Sequence, residues 1–374
     1  MTALSEVFEI GNFIDTFALG HYARVFDALD LRTNQSCALK IMRLEHLIED
    51  GVPRWEAEVF INETDLLLAL EDLPEVVNLY DCGYVSSRET YPDGGEIRSF
   101  GTNLHAFQEA FFPSLGEQWR PYLSLEPLPR HQNLLYVMKQ GADGQRRRLP
   151  TEEGLSLALQ FGQLLYHAHD RGIVFMDHKL EHVYWDGETL RVIDWNSSKR
   201  ITGTGQNADQ QRINDLHNLC VGILYPIFTG ASPQKGSLRP QPGSQSEVES
   251  RYEDIASLDF GIEPTLSRPL TTLLERGAQK QIDSATAFLG EVQRIAVRFG
   301  WSFAGQNSSD ALAAAREHAR AGLEKLRDSH EAARIAREHL LEAATLDGIN
   351  EDMEEELRRL LGKIGEYLNT RVIP

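Results

Sequence analysis

Residues 172–198 read GIVFMDHKLEHVYWDGETLRVIDWNSS and hold two short runs rich in β-branched and aromatic residues, His182 to Trp185 and Leu190 to Ile193. Between them Asp186-Gly187 predicts a hairpin, because that pair supplies the two positive-φ positions of a type I′ turn. A hairpin folds its outer ends together, so the residues before His182 become neighbours of the residue after Ile193. The expected result is a cluster of Asp177, Lys179, His182 and Asp194 at one end of a small sheet. Two carboxylates, an ammonium and an imidazole suit phosphoryl transfer. One acid orients an attacking hydroxyl, and the other holds the metal that bridges the phosphates. The competing reading is a surface ribbon with flanking acids.

The 374-residue chain is long for one hydrophobic core and suggests two or three packing units. With 41% hydrophobic and 25% charged residues it has the composition of an ordinary globular protein. No apolar run approaches the ~18 residues of a membrane span, and MTALSEVFEI lacks the basic-then-apolar pattern of a signal segment. Cys37, Cys82 and Cys220 are odd in number and widely spaced, which speaks against a disulfide framework or zinc ribbon and for a reducing, cytoplasmic setting. A net charge of −19 disfavours nucleic acid and anionic membrane as partners, since both would repel it.

The opening segment resembles, without gaps, the catalytic and metal loops of the protein-kinase superfamily. Where that family reads H-R-D-L-K-x-x-N and then D-F-G, this chain reads Phe175-Met176-Asp177-His178-Lys179-Leu180-Glu181-His182 and Asp194-Trp195-Asn196. The resemblance implies Asp177 as catalytic base, Lys179 as partner of the γ-phosphate and Asp194 as metal ligand. His182 stands where the family has an asparagine ligand to a second metal. Imidazole is a poorer ligand for Mg²⁺ than an amide oxygen, so weak Mg²⁺ use or a preference for Mn²⁺ is expected. Phe175 replaces a scaffold histidine, Met176 an arginine that binds phosphorylated loops, and Asn196 a glycine. The same resemblance runs upstream. FEIGNFIDTF, ARVFDALDL and CALKIM read as three strands, ending in the V-A-I-K-like Cys37-Ala38-Leu39-Lys40. Strand alternation puts Ala38 and Lys40 on one face and Cys37, Leu39 and Ile41 on the other. By resemblance Ala38 lies against adenine, Lys40 reaches the α- and β-phosphates, and Gly20 and Val25 belong to a glycine-rich loop that keeps one of its three glycines. Trp55 to Leu70 has a helical pattern; Glu63 is the expected partner of Lys40, with Glu58 as fallback. Two further strands, Glu75 to Val85 and Pro121 to Leu128, flank an insertion at 86–120. Leu125 would guard the adenine pocket, and Glu126 to Leu128 would form the hinge.

Thr151-Glu152-Glu153 starts a helix expected to run to about Asp170. Asp215 resembles the buried aspartate that tethers the catalytic loop, and Pro226 should kink or shorten its helix. Residues 231–249 are rich in Pro, Ser, Gln and Gly and read as a mobile loop, and 266–297 as two more helices. Ser308-Ser309-Asp310 could cap a long helix to about Ala344. Past Asp347-Gly348 a second helix would carry Met353, Leu357, Leu360, Ile364 and Leu368 at 3-4 spacing.

The expected architecture is α+β: a bilobal protein-kinase-like fold, with a small antiparallel sheet lobe at 1–128, a helical lobe at 129–300 and a helical hairpin at 301–374. The hairpin would pack on the helical lobe, dimerise or engage a protein partner. The expected function is an ATP-dependent Ser/Thr protein kinase using Mg²⁺ or Mn²⁺, since a lysine two residues after the base marks that branch. A pseudokinase scaffold and a small-molecule kinase of the aminoglycoside or choline type are the alternatives.

Overall fold

A computed structural model describes residues 2–14, 22–49, 52–92, 94–138, 147–201, 205–233, 247–248, 250–298, 332–344 and 351–370. The chain is a mixture of helices and antiparallel strands. Seven strands form the main sheet, in the order β1-β8-β7-β9-β4-β3-β2. They are β1 (Thr2–Ala3), β2 (Phe8–Phe13), β3 (Ala23–Asp30), β4 (Gln35–Met42), β7 (Leu79–Val85), β8 (Glu96–Ser99) and β9 (Arg120–Leu125). A two-strand ribbon, β5 (Ile48–Glu49) and β6 (Val52–Pro53), precedes helix α2 (Trp55–Ala69), while α1 is the single turn Leu4–Val7. Alternation in β4 divides the core as its sequence dictates. Ala38 and Met42 join the apolar cluster that includes Phe60, Leu66 and Leu67 of α2. Cys37, Leu39 and Ile41 join a second cluster on the opposite face with Phe8, Phe26 and Tyr122.

The stretch between β7 and β9 adds β8 to the sheet edge and then two short helices, α3 (Leu104–Glu109) and α4 (Phe111–Gly116). Phe107, Phe111 and Trp119 bury their rings in the cluster shared with α2, and the Tyr84 hydroxyl donates to the Phe107 carbonyl at 2.8 Å. Aromatic area, the largest apolar payload a side chain carries, thereby anchors this stretch.

Beyond β9 the chain turns helical, with α5 (Leu134–Val137) followed by α6 (Thr151–Asp170). Pro150 occupies the cap position of α6, and no side chain caps it. The strand pair β10 (Ile173–Val174) and β13 (Lys199–Arg200) encloses the hairpin of β11 (Val183–Trp185) and β12 (Leu190–Val192). The hairpin forms, but its turn differs from type I′. Trp185 pairs with Leu190, so four residues connect the strands, and only Gly187 has a positive φ (102°). Asp186 Oδ1 accepts from the backbone N–H groups of Glu188 (2.8 Å) and Thr189 (2.7 Å), a local bond that competes with the tighter turn.

Helix α7 (Gln206–Asn218) passes into a π-helical segment, Leu219–Leu224, and on into α8 (Tyr225–Thr229), which ends at Gly230 with φ 73°. Pro226 has no N–H and its ring crowds the carbonyl one turn back, so the wider π turn ahead of it accommodates the proline without breaking the helix. Helices α9 (Arg268–Ala278) and α10 (Ala285–Arg298) complete this part. The loop expected at 231–249 is described only at 231–233 and 247–248, and Ser308, Asp347 and Gly348 lie outside the described residues. Residues 332–344 form helix α11, and α12 spans Glu351–Thr370. The first of these packs on the chain itself: Arg337 Nη2 donates to the Val137 carbonyl at 2.7 Å, and Arg334 donates to the Asp186 carbonyl. Among the described residues no helix is long and apolar enough to cross a membrane.

Candidate active site

Three elements deliver the central charges. Strand β4 carries Lys40 on the face that looks toward α2, and α2 carries Glu63 on the face that looks back. The residue after Ile193 supplies Asp194. Lys40 Nζ donates to Glu63 Oε2 at 2.7 Å and to Asp194 Oδ1 at 2.6 Å. Glu63 is therefore the partner that α2 offers. Lys40 is 6% exposed and Glu63 1%, so this ammonium binds two carboxylates where water cannot compete. Burial works against the charge on Lys40, but Asp194 and Glu63 outweigh it and hold its pKa well above the ordinary lysine value. The Glu63 carboxyl moves the other way: burial pushes it up despite the lysine.

Asp194 adopts a left-handed conformation (φ 63°, ψ 59°), sparsely populated for a non-glycine residue. Strong partners hold it there. The Asn196 amide donates to the same Oδ1 as Lys40, and His182 Nε2 lies 3.2 Å from Oδ2. Burial would favour its neutral form, yet Lys40 and His182 keep the carboxyl far below its usual range. His182 Nδ1 faces the Asp177 carbonyl at 3.0 Å. The ring therefore donates through Nδ1 to the Asp177 carbonyl, and its Nε2 faces the Asp194 carboxylate. Burial and Lys179 oppose protonation, but the oxygens of Asp194 and Asp177 raise the imidazole pKa above its ordinary value. The ring bridges the two acidic positions.

Asp177 is 3% exposed. Lys179 Nζ sits 2.9 Å from its Oδ2 and 3.8 Å from Glu181, while Arg251 Nη2 lies 3.0 Å from Asp177 Oδ1. Burial raises the Asp177 pKa, and Lys179, His182 and Arg251 more than reverse this, so it stays ionised below the usual range. The residue before it, Met176, is left-handed at φ 69°. One helical face braces that strained loop. Asp215, fully buried, accepts from Phe175 N at 2.9 Å, Met176 N at 2.8 Å and His169 Nε2 at 2.9 Å. One turn on, Asn218 Nδ2 donates to the Met176 carbonyl at 3.0 Å. A turn further, a Cβ at Gly222 would stand 2.7 Å from the His178 carbonyl and 2.7 Å from the Tyr252 ring, so only glycine permits the approach. Beneath the loop Phe175 packs edge-on to Trp195 (4.8 Å between centroids) and to Phe161 (6.1 Å).

The sheet forms the other wall. Val25 pairs with Lys40 and Ala38 with Leu125, which places these side chains on neighbouring strands beside the lysine. Past Leu125 the chain runs through Glu126, Pro127 and Leu128. Glu126 Oε2 accepts from Asn78 Nδ2 at 2.7 Å and pairs with Arg191, tying the end of β9 to the hairpin. Gly20 lies outside the described residues.

The donor set suits a cation that arrives with its own ligands. Among the described residues no group of three or more His, Cys, Asp or Glu side chains is poised for a metal. Asp194 is the hard carboxylate in the cleft, and Mg²⁺ is commonly held by one or two carboxylates with phosphate oxygens and water completing the shell. Residues with no legible sequence signal complete the site: Arg251 follows a Pro/Ser/Gly-rich run, and Asn62 Nδ2 fastens α2 to the Ser198 carbonyl at 2.8 Å. Asn218 and Gly222 were findable from their spacing after Asp215. No protein-family model matches the chain, and no curated protein matches it.

Proposed function

We propose that the chain is an ATP-dependent phosphotransferase with a bilobal protein-kinase-like fold, transferring the γ-phosphate of ATP to a protein hydroxyl in the cytoplasm. One observation carries the reading: buried Lys40 joins Glu63 of α2 to Asp194 of the hairpin, and His182 links Asp194 onward to Asp177. Lys40 binds the α- and β-phosphates, with Glu63 fixing its direction. Val25, Ala38 and Leu125 flank adenine, and backbone groups from Glu126 to Leu128 recognise its edge. A divalent cation, Mg²⁺ or Mn²⁺, on Asp194 would screen the phosphate oxygens. Lys179 holds the γ-phosphate beside Asp177. Asp177 takes the proton of the acceptor hydroxyl while the new P–O bond forms and the bond to the β,γ-bridging oxygen breaks, releasing ADP. Catalysis of this kind is positioning and electrostatic stabilisation. Incubation with γ-labelled ATP and either cation tests it. Transfer that disappears in both Lys40→Met and Asp177→Asn supports the reading, and no transfer by the wild type with either cation overturns it.

A second reading is a pseudokinase scaffold. Its support is that both oxygens of Asp194 and both of Asp177 already face cationic or amide donors. It expects a thermal shift with ATP and cation but no transfer.

A further inference from the structure

Arg251 comes from the turn at 250–254. The turn is firmly seated. The Tyr252 hydroxyl donates to the His178 carbonyl at 2.8 Å, His217 Nε2 meets the Tyr252 carbonyl at 3.0 Å, and Tyr252 and Ile255 pack with Val221 and Ala278. The arginine is thus delivered by an anchored element, and its side chain is 18% exposed while the Asp177 side chain it touches is 4% exposed. The two oxygens of Asp177 are divided between two cations: Lys179 holds Oδ2 and Arg251 holds Oδ1. A hydroxyl acceptor needs one of those oxygens. On the phosphotransferase reading Lys179 also holds the γ-phosphate, so the oxygen to be released is Oδ1.

We propose that Arg251 is a specificity-determining residue that binds a carboxylate flanking the acceptor hydroxyl, exchanging Asp177 Oδ1 for the acceptor's own anion. The exchange replaces one close ion pair with another, so it costs little and leaves Oδ1 facing the hydroxyl. A neutral acceptor offers the guanidinium nothing in return and must break the pair. An acidic peptide segment is the acceptor class this geometry favours, even though the protein's net charge is −19. Within the site two cations, Lys179 and Arg251, stand around Asp177, with Glu181 beside the lysine.

The inference rests on the phosphotransferase reading, and its test separates the two. Two synthetic peptides share one sequence around a single serine, flanked by Asp in one and by Asn in the other. Both are assayed as acceptors with γ-labelled ATP, and as ligands by calorimetry with a non-hydrolysable ATP analogue and Mg²⁺. The wild type should favour the Asp peptide by about tenfold in kcat/KM and in affinity, the scale of one charge-assisted contact. Arg251→Gln, close in shape but neutral, should erase the difference, and Arg251→Lys should keep part of it. Equal handling of the two peptides by the wild type, or a preference that survives in Arg251→Gln, overturns the assignment. Absence of transfer by the wild type overturns the phosphotransferase reading instead, and the calorimetric comparison then decides Arg251 by the same two criteria.

Discussion

Replacing Asp215 by alanine should be among the most costly single changes in this chain. Its carboxylate has no contact with water and accepts three hydrogen bonds, from Phe175 N, Met176 N and His169 Nε2. Alanine orphans two buried backbone donors and a buried histidine. Each orphaned donor costs about 1–3 kcal/mol. Breaking a buried charged network from one side costs about 3–5 kcal/mol in other proteins, so a loss of about that size is expected. Against a usual total of about 5–15 kcal/mol this is a large share of the stability. Asparagine keeps the shape and one acceptor oxygen but turns an amide toward one of the two N–H groups, so about half the loss should remain. Urea unfolding followed by tryptophan fluorescence reads this well, because Trp185 and Trp195 are buried near the loop. The loss should also fall on the site. Met176 holds its left-handed φ of 69° with its N–H on Asp215, and without that anchor Asp177 has no fixed position. An alanine variant within about 1 kcal/mol of wild type would refute the claim that Asp215 carries the loop.

On the proposed phosphotransferase reading, Lys40→Met should lower phosphoryl transfer at least about 10²-fold, the scale of losing one preorganised charge partner, while Glu63→Gln should cost less because Asp194 still orients the ammonium; initial rates with γ-labelled ATP check both. Gly222→Ala should destabilise by about 1–3 kcal/mol through overpacking, since its Cβ would press on the His178 carbonyl and the Tyr252 ring. Stability should also depend on pH through His178. His178 is fully buried, stacked on Phe161 at 5.4 Å, with neither ring nitrogen hydrogen-bonded among the described residues and Asp215 Oδ1 3.6 Å away. Burial holds its pKa below the ordinary value of 6.5, so the unfolded chain takes up a proton that the folded protein refuses. Stability from this group is complete above about pH 6.5 and declines as the pH falls below it, by at most about 1.4 kcal/mol per pH unit. His178→Leu should flatten that slope in urea titrations between about pH 5 and 6.5; an unchanged slope would refute the assignment.

Local pattern made much of the fold legible. The alternation of CALKIM foretold which side chains of β4 face α2, because a strand's period of two leaves no other choice once one face is apolar. Trp55 and Thr151 were recognisable as helix starts. The turn at Asp186-Gly187 was misjudged because the aspartate side chain closes a four-residue loop with its own neighbours, and a dipeptide rule does not weigh that competition. Juxtapositions across long stretches are harder to read. Lys40 and Glu63 could be paired only by assuming a fold, and Arg251, 74 residues beyond Asp177, had no signal at all. His182 shows a subtler limit. Its position predicts a metal ligand, and whether an imidazole nitrogen accepts or donates depends on what both nitrogens face, which only the three-dimensional arrangement supplies.

Why should one helical face take on so much of the bracing? Two residues at the site, Met176 and Asp194, hold left-handed backbones, each at an expense of about 1–3 kcal/mol that the surroundings must offset. For Asp194 the offset is electrostatic, from Lys40, His182 and Asn196. For Met176 it is hydrogen bonding from both sides: its N–H goes to Asp215 and its carbonyl receives Asn218. Asp215, Asn218 and Gly222 are spaced three and four residues apart, so an α-helical start presents the first two together, and the π turn begins immediately afterwards. Gly222 within the π turn still faces the loop, and the wider turn absorbs Pro226 downstream. Stability and site geometry are therefore bound to the same few atoms. Met176→Gly would relieve the strain at that φ but deletes a side chain only 1% exposed, so stability in urea unfolding should fall by about 2–5 kcal/mol rather than rise, although the hydrogen bonds that fix the backbone do not depend on that side chain.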